Sequence, residues 1–422
     1  MGYSEMHRLP EITPRTVSSS TEASEGVNTL YKISAISSLL CMNRFKSTKI
    51  PKSLTLISNT IDIFGRRLET ELDSDHCLKP EELRLHRLLK KKHYYYGAYL
   101  SALTSMPILS SANDVQILSS MVAKTSAITS IKVLDNINDR FSNKQEAVES
   151  QREHLRAFTE KSFEPEPREN FLERAENSCM SMARWTFDSV SQGLDRASET
   201  LRIYLRDFAD YIDGQIRSMD EKADRSKPAT TIQEYIQKVN EKSVGRIWVD
   251  IDFCFLEKSL GKLDQDELKA ILYVRKAADY FFKGCNLYDD IADLDEDLKL
   301  GILSSVPLLA LDRGRMEESD LRRDRMGLLK ILRKREVINE VLQLADLIFL
   351  QGFKPLLEAK ELNEVIDIDA LIFGAKVLRI FAIRKWVLRE RSFNSLCKTA
   401  VSFGNPRMYR ISDHVAAYAK YI

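Results

Sequence analysis

The sequence predicts an all-α protein, a helical bundle around a central cavity, and three observations carry that reading. Glycine and proline are sparse, at 15 and 11 of 422 residues, which suits long uninterrupted helices. No stretch shows the apolar–polar alternation of a half-buried strand. Apolar residues recur instead at i, i+3 and i+4, the stripe of a helix packed on one side, and in two places that stripe runs directly into aspartates of the same phase.

Taken in order, Met1 to about Val27 is rich in Ser, Thr, Glu and Pro and reads as a disordered or loosely attached tail. That leaves residues 28–422 as a single α-helical domain. A short helix is expected over Asn28–Asn43 and another over Lys52–Glu71, where Leu54, Ile57, Ile61 and Phe64 share a face. Pro80, followed by Glu81 and Glu82, opens a helix that is expected to run to Met106, with Pro107 as its stop. The next helix spans about Ser111–Phe141, with Leu118, Met121, Thr125, Ile128 and Ile131 as its buried stripe. The charged stretch from Lys144 to Glu176, with Pro165 and Pro167, reads as a surface loop with helical shoulders, and Ala175–Ile216 as a helix. Thr231 and Glu234 form a capping box. Gly245 invites a kink or a close backbone approach. Ile247, Trp248, Phe253 and Leu256 then make a dense central helix. Beyond the acidic stretch near Asp289, Ser304, Ser305 and Pro307 start a new helix, Met316–Leu362 and Asp367–Glu390 are helical, an F-G-N-P loop covers Phe403–Pro406, and Ile411–Ile422 closes the chain.

The 63 basic and 62 acidic residues balance to a net charge of +1, so bulk electrostatics imply no nucleic-acid partner. The six cysteines form no CxxC pair, which argues against zinc and a disulfide framework and for a reducing, cytoplasmic setting. No uninterrupted apolar run reaches the ~18 residues of a transmembrane segment, and none is expected. A homodimer is compatible with the sequence, which carries no signal for oligomeric state.

The chemistry concentrates in A-D-Y-F-F-K-G-C-N-L-Y-D-D-I-A-D-L-D-E-D, residues 278–297. Ala278, Phe282 and Cys285 share a helix face with Asp289, Asp293 and Asp297, which are spaced i, i+4, i+8. Carboxylates on a buried face are costly unless a cation joins them, and oxygen-only ligands favour a hard ion such as Mg²⁺. The earlier stripe ending in Ile128 and Ile131 continues in phase to Asp135 and Asp139, so a second helix repeats the pattern. A run such as D-L-D-E-D taken alone is ordinarily a solvated helix end. Its phase with Phe282 and its second copy at Asp135 favour the metal reading.

The segment N-L-Y-D-D-I-A-D-L-D-E-D resembles the second metal motif of the all-α isoprenoid synthases, DDxxD or, in class I terpene cyclases, NDxxSxxxE. Asp289, Asp293 and Asp297 fall on the three ligand positions of the latter, standing for Asn, Ser and Glu. L-D-N-I-N-D-R resembles the first motif in the DxxxD form of squalene and phytoene synthases and of the large cyclases related to tetraprenyl-β-curcumene synthase. K-P-A-T-T-I-Q-E-Y-I-Q-K-V-N-E-K-S-V-G is similar to the stretch of bacterial terpene cyclases that precedes a diphosphate-sensing arginine. No arginine stands there; Lys242 or Lys238 is nearest.

The resemblance implies an isoprenoid synthase-type bundle and a class I terpene synthase that ionises a linear prenyl diphosphate, C20 or longer, to a hydrocarbon or alcohol. It implies three Mg²⁺ ions held by Asp135 and Asp139 on one wall and by Asp289, Asp293 and Asp297 on the other. Asp290 and Asn286 would support that wall from beside it. Lys242, Lys376, Arg379 and Arg140 are the candidate diphosphate contacts, each with a surface or structural role as the plain alternative. Tyr95, Tyr99, Phe282, Trp248 and Phe253 are candidates to line the pocket, or simply core. A prenyltransferase and a non-catalytic helical protein are the competing functions.

Overall fold

The computed structural model describes residues 49–390, apart from 73–74, 142, 168, 196 and 224–229, together with residues 411–422. Every regular element among the described residues is helical. They are α1 (Lys49–Glu71), α2 (Pro80–Leu85), α3 (Lys91–Ile108), α4 (Asp114–Asn138), α5 (Lys144–Thr159), α6 (Phe171–Ser191), α7 (Glu199–Ala223) and α8 (Ile232–Lys238). A 3₁₀ turn (Val239–Lys242) leads to α9 (Gly245–Leu260), α10 (Gln265–Leu300), α11 (Ser305–Asp312), α12 (Arg325–Leu332), α13 (Arg335–Gln351), α14 (Phe353–Leu362), α15 (Ile368–Glu390) and α16 (Asp413–Ala416). The expected N-terminal tail, the Asn28–Asn43 helix and the F-G-N-P loop lie outside the described residues.

Helix starts follow local chemistry. The side chains of Asn113, Asn143 and Asn170 cap α4, α5 and α6 by accepting from backbone N–H groups of the first turn. Thr231 with Glu234, and Asp264 with Glu267, make reciprocal capping boxes on α8 and α10. Gly301, at φ 72°, ends α10 in the left-handed conformation.

Several expected helices are interrupted. The Pro80–Met106 helix breaks after Leu85, where Arg87 turns at φ 60° and buries Leu88 and Leu89. Pro107 does not stop α3 but sits inside its last turn. There its missing N–H affects only the carbonyl of Leu103. The Ala175–Ile216 stretch divides at Gly193, φ 80°. The Lys144–Glu176 loop is helical as far as Thr159. Met316–Leu362 becomes a short 3₁₀ turn followed by α12, α13 and α14.

Packing closes these helices into a ring: α4 lies on α3, α3 on α15, α15 on α10, α10 on α9, and α9 back on α4. The 36-residue α10 also carries α13 and α14 on its outer side. Helix α4 is surrounded by α1, α3, α6 and α9. By length and apolarity α4 could cross a membrane, but 78% of its apolar window is buried among the other helices, which makes it a core helix. A side cluster of Phe64, Leu68, Leu88, Cys179 and Trp185 packs on Val133, Leu134 and Ile137 at the end of α4. Each fully buried leucine or isoleucine there is worth ~1.5–3 kcal/mol, so the rotation of α4 is fixed. Asp135 is left half-buried on the side away from those three residues.

Candidate active site

Helix α10 organises the site. Val274, Ala277, Ala278, Phe281 and Phe282 form one wall of an apolar pocket closed by Leu100 and Leu103 of α3, Trp248 and Val249 of α9, Leu356 of α14, and Leu371 and Leu378 of α15. Its enclosed volume is about 40 Å³, room for a few waters, so a prenyl chain requires the walls to part. The wall exists because α9 starts hard against α10. A Cβ on Gly245 would fall 2.9 Å from the Ala278 carbonyl oxygen and 2.9 Å from Phe282 Cβ. Close approach is therefore what Gly245 provides, and the helix expected to run through it breaks just before it, at Ser243 and Val244.

Seven residues beyond Phe282, ~10 Å along the axis, the same face carries Asp289. Asp289 is exposed, while Asp293 and Asp297 are half-buried. Across the ring, the half-buried Asp135 accepts a hydrogen bond from Lys132 Nζ at 3.1 Å. The Lys132 side chain is about half exposed, and Asp135 first, then Asp289 and Asp293, hold its ammonium above the usual lysine range. One lysine thus feels both acidic helix ends. Asp297 acts on the Tyr235 hydroxyl beside Asp290. Asp139 is the exposed C-cap residue of α4, its N–H donating to the Asp135 carbonyl at 3.2 Å. Its backbone is still in the right-handed helical region, so it keeps its phase one turn beyond Asp135.

The residues expected beside the metal face have structural partners. The Asp290 carboxylate accepts from the Tyr235 hydroxyl at 2.8 Å, the Ser305 N–H at 3.1 Å and the Ser305 hydroxyl at 2.5 Å. Burial pushes its pKa up to about 7, although the Ser305 and Tyr235 hydrogen bonds pull it down. It ties α8 and the start of α11 to α10. Asn286 donates its side-chain N–H to the Val239 carbonyl at 3.2 Å, which seats the 3₁₀ turn bearing Lys242 on α10. The side chain of Lys242 lies outside the described residues.

Two of the basic candidates already have protein partners. Arg379 is buried, its Nε donating to Asp346 at 2.5 Å and to the Tyr288 hydroxyl at 3.1 Å, which locks α15 to α13 and α10. Arg140 is exposed and donates to the His86 carbonyl, bracing the break after α2. Lys376 is half-buried on α15. Of the aromatic candidates, Trp248 and Phe282 line the pocket. Phe253 is buried in the main core and does not line it, Tyr99 is buried nearby on α3, and Tyr95 packs at a tilt on Tyr94 against the side cluster. Lys132 was not singled out from the sequence; its one signal is the K-V-L-D spacing to Asp135.

Among the described residues, no three carboxylate, histidine or cysteine groups gather as a ready-made metal cage. Mg²⁺ does not require one, since it keeps several waters and takes one or two carboxylates, with phosphate oxygens supplying the rest. The donors present are all hard carboxylate oxygens, and Asp135, Asp289 and Asp293 act on one shared cation. Carboxylate oxygens are the donor type that suits Mg²⁺.

No protein-family model matches the sequence, and no curated protein matches it. Solved structures match in fold. The SVS_A2 protein from ancestral sequence reconstruction aligns with a TM-score of 0.51 at 13% identity, covering 85% of this chain and 96% of that one. A single-substitution variant of cucumene synthase aligns at 0.46 and 9% identity, covering 83% and 96%. An a-eudesmol synthase aligns at 0.42 and 12% identity, covering 81% and 95%. At these identities the likeness is one of fold.

Proposed function

We propose that this chain, which matches the class I terpene synthases in fold over most of its length, ionises a linear prenyl diphosphate with Mg²⁺ and releases a terpene hydrocarbon or alcohol. One observation carries the reading. The acidic ends of α4 and α10 act on the same lysine, at the end of the helix face that builds an apolar pocket. A diphosphate and a hydrocarbon chain need that pairing of a charged end and a dry pocket on a single wall.

In this reading Asp135, Asp289 and Asp293 hold Mg²⁺, with Asp139 and Asp297 reaching the cluster only as the helix ends close on substrate. The metal would neutralise the diphosphate and stabilise it as a leaving group. Lys132 contacts the diphosphate once the metal takes over its carboxylates, with Lys242 and Lys376 as further cations. The pocket excludes water from the allylic cation. Trp248 and Phe282 offer it ring faces, worth ~0.5–2 kcal/mol each. Residues 28–422 would form one catalytic domain.

The test is incubation with geranyl, farnesyl, geranylgeranyl and geranylfarnesyl diphosphates plus Mg²⁺, read by mass spectrometry and by diphosphate release. A product that keeps the carbon number of a single substrate supports the proposal. A larger product from two substrates would assign a prenyltransferase. No diphosphate release from any of the four would leave the fold without this activity.

A further inference from the structure

Residues 322–335 carry seven basic side chains and one acidic one, in a chain whose net charge is only +1. The structure sorts them around α12. Leu328, Leu329 and Leu332 are buried and seat that helix on the protein. Met326, Lys330 and Arg333, spaced i, i+4 and i+7, stand exposed together on its outer side, with Lys334 just beyond. The nearby carboxylates are engaged within their own turns. Asp324 caps α12 by accepting from the Gly327 N–H at 3.2 Å. Asp320 accepts from the Glu317 N–H at 2.9 Å and pairs with Arg323 at 2.6 Å, with Lys334 acting on it more weakly.

Two large apolar side chains protrude here. Met326 is 64% exposed and Leu300, the last residue of α10, is 61% exposed. The patch lies beside the acidic end of α10. Arg325, at the start of α12, pairs with Asp295 at 3.5 Å. Asp295 stands between Asp293 and Asp297, ~7 Å along the helix axis from Leu300.

We infer that the outer side of α12, with the end of α10, docks the protein on a bilayer surface that carries anionic phospholipid. The cations meet the phosphate headgroups, and Met326 and Leu300 enter the boundary of the acyl chains. Water would solvate the cations and leave the two apolar side chains stranded; the bilayer interface takes both. Nucleic acid also attracts cations, but residues 321–335 hold no aromatic ring on which a base could stack. The docking stands apart from the reaction, whereas its purpose rests on the function proposed above. A prenyl chain and a terpene product both partition into a bilayer, and docking at α12 brings the acidic end of the pocket to that surface.

The experiment sediments the protein with vesicles of phosphatidylcholine alone and of phosphatidylcholine mixed with phosphatidylglycerol, at low and at physiological salt. Wild type should pellet with the anionic vesicles at low salt, leave them as salt is raised, and stay in solution beside the neutral ones. Each cation next to an anionic surface is worth about fivefold in partition, so Lys330→Glu/Arg333→Glu/Lys334→Glu should bind roughly tenfold more weakly or worse. Met326→Ser should weaken binding severalfold and leave its salt dependence unchanged. Lys262→Glu/Lys269→Glu/Lys276→Glu is the control, the same charge change on exposed lysines around the first half of α10; it should bind as wild type does. Every substituted side chain is exposed, and circular dichroism checks that helix content is kept. Wild type left in the supernatant at low salt overturns the docking, as does a control variant that loses as much as the α12 variant. Unchanged binding by Met326→Ser, or capture of a single-stranded oligonucleotide in place of the vesicles, overturns the lipid assignment. Diphosphate release, measured without vesicles, tests the proposed reaction separately, so the two failures are told apart.

Discussion

Replacing Gly245 with alanine tests how closely α9 and α10 meet at the pocket. The new Cβ would lie 2.9 Å from the Ala278 carbonyl oxygen, 2.9 Å from Phe282 Cβ and 3.1 Å from Phe282 Cδ2. Ordinary contact begins at 3.4 Å, so α9 must withdraw by about 0.5 Å (3.4 − 2.9) or Phe282 must turn into the pocket. Overpacking of this kind costs ~1–3 kcal/mol, while alanine recovers at most ~1 kcal/mol of helix propensity over glycine. With the full recovery taken off, a net loss of roughly 0–2 kcal/mol follows from those two terms. Gly65 is the control: it lies inside α1 with no atom within 4 Å of its would-be Cβ. Alanine there should gain ~0.5–1 kcal/mol. Urea denaturation of the two variants beside wild type reads the contrast. If Gly245→Ala proves as stable as Gly65→Ala, the tight junction that shapes the pocket wall is wrong.

Other consequences can be measured in the same preparations. Lys132→Ala should raise the KM for prenyl diphosphate by ~10–100-fold, the worth of one charge-assisted hydrogen bond of ~1.5–3 kcal/mol; an unchanged KM would remove Lys132 from the substrate contacts. Lys283 is buried on α10, and burial lowers its pKa to about 8, with Asp279 opposing. A folded pKa below the unfolded one means the folded state disfavours the charge. Lys283→Met should therefore be more stable than wild type below pH 8, by roughly 1–3 kcal/mol. That gap should close as pH rises from about 8 toward the ordinary lysine value of about 10.5, which denaturation at pH 7 and 9.5 would detect. Lys124→Met leaves the Asp252 carboxylate buried without its cation and should cost ~3–5 kcal/mol, whereas adding Asp252→Leu should recover most of that loss.

The parts of the site that were legible in the sequence depend on phase along one helix. Asp289 follows from Ala278 and Phe282 by counting turns, and Asp135 follows from Ile128 and Ile131 in the same way. Capping at Thr231 and the close approach at Gly245 were legible because each depends on a few adjacent residues or on the absence of a Cβ. What was not legible depends on neighbours in space. Lys124 stands in phase with Met121, Ile128 and Ile131, so its burial follows the stripe, but its partner Asp252 belongs to α9 and is far from it in sequence. Lys132 acquires meaning only once α10 is placed opposite α4. Arg379 and Arg140 read as spare cations because Asp346 and the His86 carbonyl are far from them in sequence. The break at Arg87 carries no glycine or proline signal; burial of Leu88 and Leu89 in the side cluster imposes it.

The central claim is that the ends of α4 and α10 grip one metal–diphosphate cluster between them. Electron paramagnetic resonance of Mn²⁺, titrated into the protein with inorganic diphosphate present, addresses it without relying on turnover. The account predicts that Asp135→Asn and Asp289→Asn each weaken Mn²⁺ binding at least tenfold while helix content is unchanged. Wild-type Mn²⁺ affinity and stoichiometry in either variant would contradict it.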